Sequence, residues 1–189
     1  MWVASPFVPR PPAARAKLLD AFVTILNEQG ERAATLEAVA TAAGVSKGGL
    51  LYHFGSKDAL VDGLMAHLVD LADEDVATMR QAPEGAAAYY VRSSNFEDSA
   101  LDRAIVAATR LSQGENAAAQ QALLRMQQGW LDALTEEVRD PAVARAIILL
   151  GDGLYYRAAF GGKVLAASTE EMDDLLGIVR RIVDGGATA

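Results

Sequence analysis

The sequence predicts an all-α chain of about nine helices with no strand. Apolar residues recur at i, i+3, i+4 and i+7 from one end to the other. Runs of the Val-Ile-Thr type that favour strands are scarce. The periodic segments are punctuated by Gly, Pro and the Ser/Thr/Asp residues that cap helices.

The elements follow in order. Residues 1–12, MWVASPFVPRPP, read as a flexible arm, and Pro12 suits the first turn of a helix. From Ala13 to Gln29, Leu18, Phe22, Ile25 and Leu26 fall on one face, and Gly30 is the expected stop. Thr35 reads as an N-cap, followed by Leu36, Val39, Ala40 and Ala43, and Gly44 ends that short helix. Ser46 caps a third helix through Phe54. Ser56 caps a fourth from Lys57 to near Arg80, with Leu60, Leu64, Leu68 and Leu71 inward. Pro83 and Gly85 mark a break, and helices are expected over about 86–93, 99–112 and 117–138. Asp140 and Pro141 open a helix to about Phe160. GGKVLAA reads as a loop, and Ser168 with Glu171 forms a capping box for the last helix.

Composition narrows the class. Of 189 residues, 51% are apolar and 22% charged, a globular balance. There is no cysteine, so disulfides, thiolate metal sites and a cysteine nucleophile are excluded, and a cytoplasmic location fits. Prolines interrupt the N-terminus where a signal peptide needs an apolar run. No stretch approaches the ~20 apolar residues of a membrane span. The net charge of −8 argues at first against nucleic acid. Residues 1–58, however, carry six Lys/Arg against five Asp/Glu, whereas residues 59–189 carry eleven against twenty. An acidic body with a near-neutral head is compatible with DNA binding at the head, where only the local field counts.

The stretch SKGGLLYHFGSK, residues 46–57, raises a question of its own. Two glycines, both poor helix formers, sit beside a crowded apolar and aromatic run. Two short helices joined at Gly44 make a helix-turn-helix, whose second helix enters a major groove N-terminus first. The glycines then let backbone and DNA approach closely. Ser46 and Lys47 supply a hydroxyl and a cation at that entrance. Tyr52 and His53 can donate to phosphate, Lys57 can clamp one, and Thr35 can act likewise at its own helix start. Leu50, Leu51 and Phe54 are expected to hold the helix to the body. The plainer readings are caps for Thr35, Ser46 and Ser56, solvated surface for Lys47 and Lys57, and a core position for Tyr52. Arg10, Arg15 and Lys17 could extend the contact toward phosphate or the minor groove.

These residues resemble a known family. ATLEAVATAAGVSKGGLLYHFGSKDALVDGL is similar to the DNA-binding domain of tetracycline-repressor (TetR) regulators. The matching positions are Thr35, Val39, Ala40, Ala43, Gly44, Val45, Ser46, Gly48, Leu50, His53, Phe54, Ser56, Lys57 and Leu60, within a match over about residues 13–65. One departure stands out: the family's usual Tyr two residues before the His is Leu51 here, and Tyr52 follows it. Phosphate contact is therefore carried over to Tyr52. The resemblance implies a head of residues 13–58 with Thr35, Ser46, Lys47, Gly48, Gly49, Tyr52, His53 and Lys57 facing DNA. A fourth helix from about Lys57 links it to a body of residues 59–189 for effector binding and dimerisation.

In that body Tyr89, Arg92, Phe96, Met126, Trp130 and Tyr155, with Tyr90 and Tyr156 beside them, have the chemistry of a small-molecule lining. They also suit an ordinary core. The 141–160 helix carries Ile147, Gly151, Leu154 and Ala158, and the last helix Leu175, Val179 and Ile182. Together they read as the seam of a symmetric four-helix dimer, although both stripes could pack on their own subunit. Two heads are needed for half-sites roughly 34–36 Å apart on a palindromic operator. The expected function is a homodimeric repressor released by a small, largely apolar ligand. The alternatives are an activator of the same family, a helical adaptor or an all-α enzyme. No His-x-x-x-His, Glu-x-x-His, P-loop or dinucleotide pattern is present, so neither an enzyme, a metal nor a cofactor is expected.

Overall fold

The computed structural model describes residues 12–186; the expected arm, with Arg10, lies outside them. Among the described residues nine α-helices follow one another with no strand between them. They are α1 (Pro12–Gln29), α2 (Leu36–Ala42), α3 (Lys47–His53), α4 (Lys57–Arg80), α5 (Ala86–Ser93), α6 (Ala100–Gln113), α7 (Ala117–Val138), α8 (Pro141–Gly161) and α9 (Thr169–Gly186). The segment expected to be a plain loop after α8 holds a 3-10 turn, Gly162–Val164, because Leu165 N–H donates back to Gly162 O at 3.0 Å.

The chain divides into two units. One comprises residues up to Ala66 together with Val106–Gln120; the other comprises His67–Ile105 and the residues from Gln121 onward.

In the first unit α1, α2 and α3 pack on one another. The inward residues at helical spacing are those the periodicity selects: Leu18, Phe22 and Leu26 of α1, Val39 of α2, Leu50 of α3, and Leu60 and Leu64 of α4 are fully buried. Each such side chain stabilises the unit by about 1.5–3 kcal/mol relative to exposure. The turn between α2 and α3 depends on Gly44, whose φ of +66° is left-handed. It lets Val45 N–H return to Ala40 O at 2.9 Å. Polar caps start the helices locally: Thr35 Oγ1 accepts from Ala38 N–H (3.2 Å), Ser46 Oγ from Gly49 N–H (3.1 Å) and Ser56 Oγ from Ala59 N–H (3.1 Å).

In the second unit α5 packs on α8 and α9. Gly151 makes the α5–α8 approach possible. A Cβ there would fall inside contact distance of the Tyr90 ring and the Ser94 hydroxyl. The start of α5 has no local side-chain cap at Gly85. Instead Glu137 of α7 accepts from Ala87 N–H at 2.7 Å, an anion at the positive end of a helix. The expected capping box at α9 is formed in both directions, Ser168 N–H to Glu171 at 2.9 Å and Glu171 N–H to Ser168 Oγ at 3.2 Å. Leu71, expected inward, is only half-buried, and Ala72, Val76 and Met79 form the inner stripe instead.

Candidate nucleic-acid interface and effector core

With 3.6 residues per turn, α3 has one inner and one outer face. Leu50 and, just past the helix end, Phe54 turn inward, at 0% and 3% exposure. Lys47, Gly48, Leu51 and Tyr52 turn outward. Tyr52 is 84% exposed, which excludes a core role for its ring. Leu51, expected to hold the helix to the body, is exposed; it sits one residue, about 100°, from Leu50 and so cannot share its face.

The glycine pair splits by task. A Cβ at Gly49 would lie 2.8 Å from Val45 Cγ1, so the chain's own turn requires that glycine. A Cβ at Gly48 would meet nothing within 4 Å, so nothing within the fold does.

The cations of this face are not bare. Lys47 is ion-paired with Glu37 of α2, and that pair holds the Glu37 carboxyl below the usual carboxylate range. Lys57 Nζ donates to Glu31 O at 3.0 Å and to Glu31 Oε1 at 3.5 Å. His53 is half-buried with its ring edge-on to Tyr52, centroids 5.1 Å apart. Thr35 is exposed, its hydroxyl oxygen engaged as the α2 cap. Lys17 is exposed, whereas Arg15 lays its guanidinium over the Phe54 ring, 5.2 Å from the centroid.

In the second unit the aromatic residues form two groups, one of them built on two carboxylates. Asp75 of α4 accepts from Tyr89 Oη at 2.8 Å and from Trp130 Nε1 at 2.8 Å. Trp130 meets Tyr90 at 5.6 Å between centroids, and Tyr90 Oη donates to Asp152 of α8 at 3.2 Å. Phe96 and Tyr155 stack edge to face at 5.8 Å, and Tyr155 Oη donates to Asp102 O at 3.2 Å. Met126 is buried. Burial, then Asp75, pushes the Tyr89 hydroxyl up to about 12; burial also raises Tyr90 and Tyr155. Burial raises the Asp152 carboxyl, and no cationic side chain among the described residues pairs with it.

Arg92 lies apart from this core, exposed and ion-paired with Glu84. Asp75 and Asp152 were not among the expected lining residues. The available signal was an acidic residue in register with an apolar stripe: Asp75 precedes Met79 by one turn, and Asp152 precedes Tyr155.

The expected dimer stripe faces the wrong way. Ile147, Gly151, Leu154 and Ala158 are buried in their own unit, as is Val179. Gly151 is small for the sake of Tyr90 on α5, a helix of its own unit. Leu175 is half-buried and Ile182 exposed. The outward apolar residues of α8 and α9 are Leu149 (70%), Tyr156 (67%), Ile178 and Ile182.

Among the described residues no group of three His, Cys, Asp or Glu side chains is placed to hold a metal ion. No described helix is long and apolar enough to cross a membrane.

Known proteins share this arrangement. Residues 18–64 match the family model described as bacterial regulatory proteins, tetR family, and residues 84–185 match the tetracyclin repressor-like C-terminal domain. The HTH-type transcriptional regulator BetI of Klebsiella pneumoniae (strain 342) is 29% identical over 169 residues, 82% of this chain and 86% of its own length. A structure from Saccharomonospora viridis in complex with choline superposes with a TM-score of 0.71 at 16% identity, covering 92% of this chain and 97% of that one. The multidrug binding protein EbrR, solved with malachite green, gives 0.64 at 18%, covering 89% and 96%.

Proposed function

This chain belongs to the TetR family of bacterial regulatory proteins, DNA-binding regulators and not enzymes, and we propose that within it the protein is a cytoplasmic, homodimeric repressor released from a palindromic operator by a small, largely apolar ligand. The observation that carries the DNA side is the outward face of α3. Lys47, Gly48 and Tyr52 point away from a core that needs none of them. Ser46, Gly49, His53, Lys57 and Thr35 flank that face, and Tyr52 takes the phosphate contact of the family's tyrosine. Lys47 and Lys57 exchange part of their carboxylate contact for phosphate on docking; such exposed pairs are weak, at ~0–1 kcal/mol.

The dimer seam moves to the other side of the same helices. Leu149 of α8 and Ile178 and Ile182 of α9 are large apolar side chains left exposed on these helices, and a second copy related by a two-fold axis covers them.

The effector is held by Tyr89, Tyr90, Phe96, Met126, Trp130 and Tyr155. Asp152 favours a ligand that adds a positive charge to its apolar body, because its half-buried carboxylate lacks a cation. Choline and malachite green, bound by two relatives of the same fold, are both cations. The ligand acts by binding better to a conformer unsuited to DNA.

Binding to DNA flanking the protein's own gene, across a salt series and with a panel of cationic and neutral apolar compounds, tests the reading. Affinity falling with salt, and falling again with a cationic compound, is expected. Absent or salt-independent binding refutes the DNA role; release by neutral compounds alone refutes the role of Asp152.

A further inference from the structure

Leu51 is the outer-face residue of α3 that the reading above leaves without a task. It lies one helical turn from Lys47 and Gly48, beside Tyr52, and about 100° around the helix from Leu50. It is 41% exposed, on a helix whose other outward side chains are polar. Where the resembling pattern places a tyrosine, with a hydroxyl for phosphate, this chain places a side chain with neither donor nor acceptor.

A leucine gains nothing from a phosphate oxygen, nor from the donors and acceptors that line base edges. The one apolar group those edges present in the major groove is the C5-methyl of thymine. We infer that Leu51 is a specificity-determining residue, packing on the C5-methyl group of a thymine at one position of each half-site. The inference rests on α3 docking in a major groove, and it assigns to that helix a sequence preference that its backbone contacts cannot supply.

The consequence is chemical as well as genetic. Removing the methyl from the DNA and removing the isobutyl group from the protein are two ways of deleting one contact. Their effects must coincide and must not add.

The test uses the full chain and duplexes it enriches from a random-sequence pool. In those duplexes each thymine is replaced singly by deoxyuridine, which lacks the methyl but pairs identically. Wild-type protein is expected to lose about four-fold in affinity per half-site at one position and little elsewhere. Leu51→Ala loses a similar factor on the thymine duplex and no longer distinguishes the two bases there. Leu51→Met, which keeps an apolar reach, retains the distinction. Because Leu51 is exposed, these variants keep the wild-type thermal midpoint, and circular dichroism checks that they do. Enrichment of a duplex in which no thymine position depends on Leu51 overturns the inference and leaves DNA binding standing. That result would mean the leucine rests on sugars. Failure to enrich any duplex overturns the DNA reading itself, and this inference with it.

Discussion

Hydroxyl caps start the helices of the head, whereas the second unit adds carboxylate contacts between distant helices. In the head, hydroxyls cap helix ends three residues away: Thr35 to Ala38, Ser46 to Gly49, Ser56 to Ala59. In the second unit these carboxylate contacts join distant parts of the chain: Asp75 to Trp130, Tyr90 to Asp152, Glu137 to Ala87, and Arg80 to Glu136 at 2.9 Å. The head thus keeps Lys47, Lys57 and Tyr52 at the surface, within reach of an outside partner, the two lysines held in exposed ion pairs. The second unit turns its aromatic hydroxyls and indole inward, where a bound ligand can break and remake their bonds. On the function proposed above, one unit meets a surface and the other encloses a molecule.

The contrast can be broken most sharply at Asp75. Asp75→Ala leaves a phenol and an indole N–H without their acceptor, and should destabilise the second unit by about 3 kcal/mol. Ser46→Ala, which removes only a local cap, should cost about 1 kcal/mol. Urea unfolding followed by Trp130 fluorescence for the first, and by circular dichroism for the second, measures both. Equal losses would erase the distinction.

Next in size is Gly151→Ala. Its new methyl must displace the Tyr90 ring or Ser94, at a cost of about 2 kcal/mol, read in the same unfolding experiment. A neutral result would return Gly151 to the dimer seam.

The glycine pair gives a smaller but cleaner contrast. Gly49→Ala crowds Val45 and should lower head stability by about 1 kcal/mol. Gly48→Ala meets nothing and should raise it by up to ~1 kcal/mol through helix propensity, while weakening DNA binding. Melting curves and mobility shifts on the two variants separate folding from docking.

The last effect is alkaline. The Tyr89 hydroxyl, ordinarily at 10.0, is pushed up to about 12 by burial and by Asp75. Its folded form therefore holds a proton that the unfolded form releases. That stabilisation is complete below about pH 10 and is lost as pH rises toward 12. Tyr89→Phe should flatten this part of the pH–stability curve. An unchanged slope would assign it wholly to Tyr90 and Tyr155.

What could be read from the sequence followed the same division. The caps at Thr35, Ser46, Asp140 and Ser168 and the stop at Gly44 are local, so their residue types announce them. The matched motif announces the head. On α8 both sides are apolar, Ile147 and Leu154 on one and Leu149 and Tyr156 on the other, so the stripe alone does not say which side meets a partner. Periodicity gives a spacing but not a direction when the stripe is double. Asp75 and Asp152 carry no local signal, because the indole and the phenol that donate to them lie 55 and 62 residues away. Nothing in the local text brings an indole or a phenol to a carboxylate. Leu51 was placed in the core for being leucine, although its position beside Leu50 already pointed it outward.

One contact in the head has a kinetic and entropic side. Lys57 is tied by its ammonium to the carbonyl and the carboxylate of Glu31, the first residue beyond the Gly30 stop. A free lysine carries about 2 kcal/mol of rotamer entropy, much of which docking would have to remove. A phosphate arriving at Lys57 would instead meet a side chain already held in one orientation, its positive charge only partly matched. Tyr52, 84% exposed and held only by its edge contact with His53, must be ordered further on contact. The grip on the backbone would therefore form in sequence, with the prearranged cation engaging first and the searching aromatic settling after it.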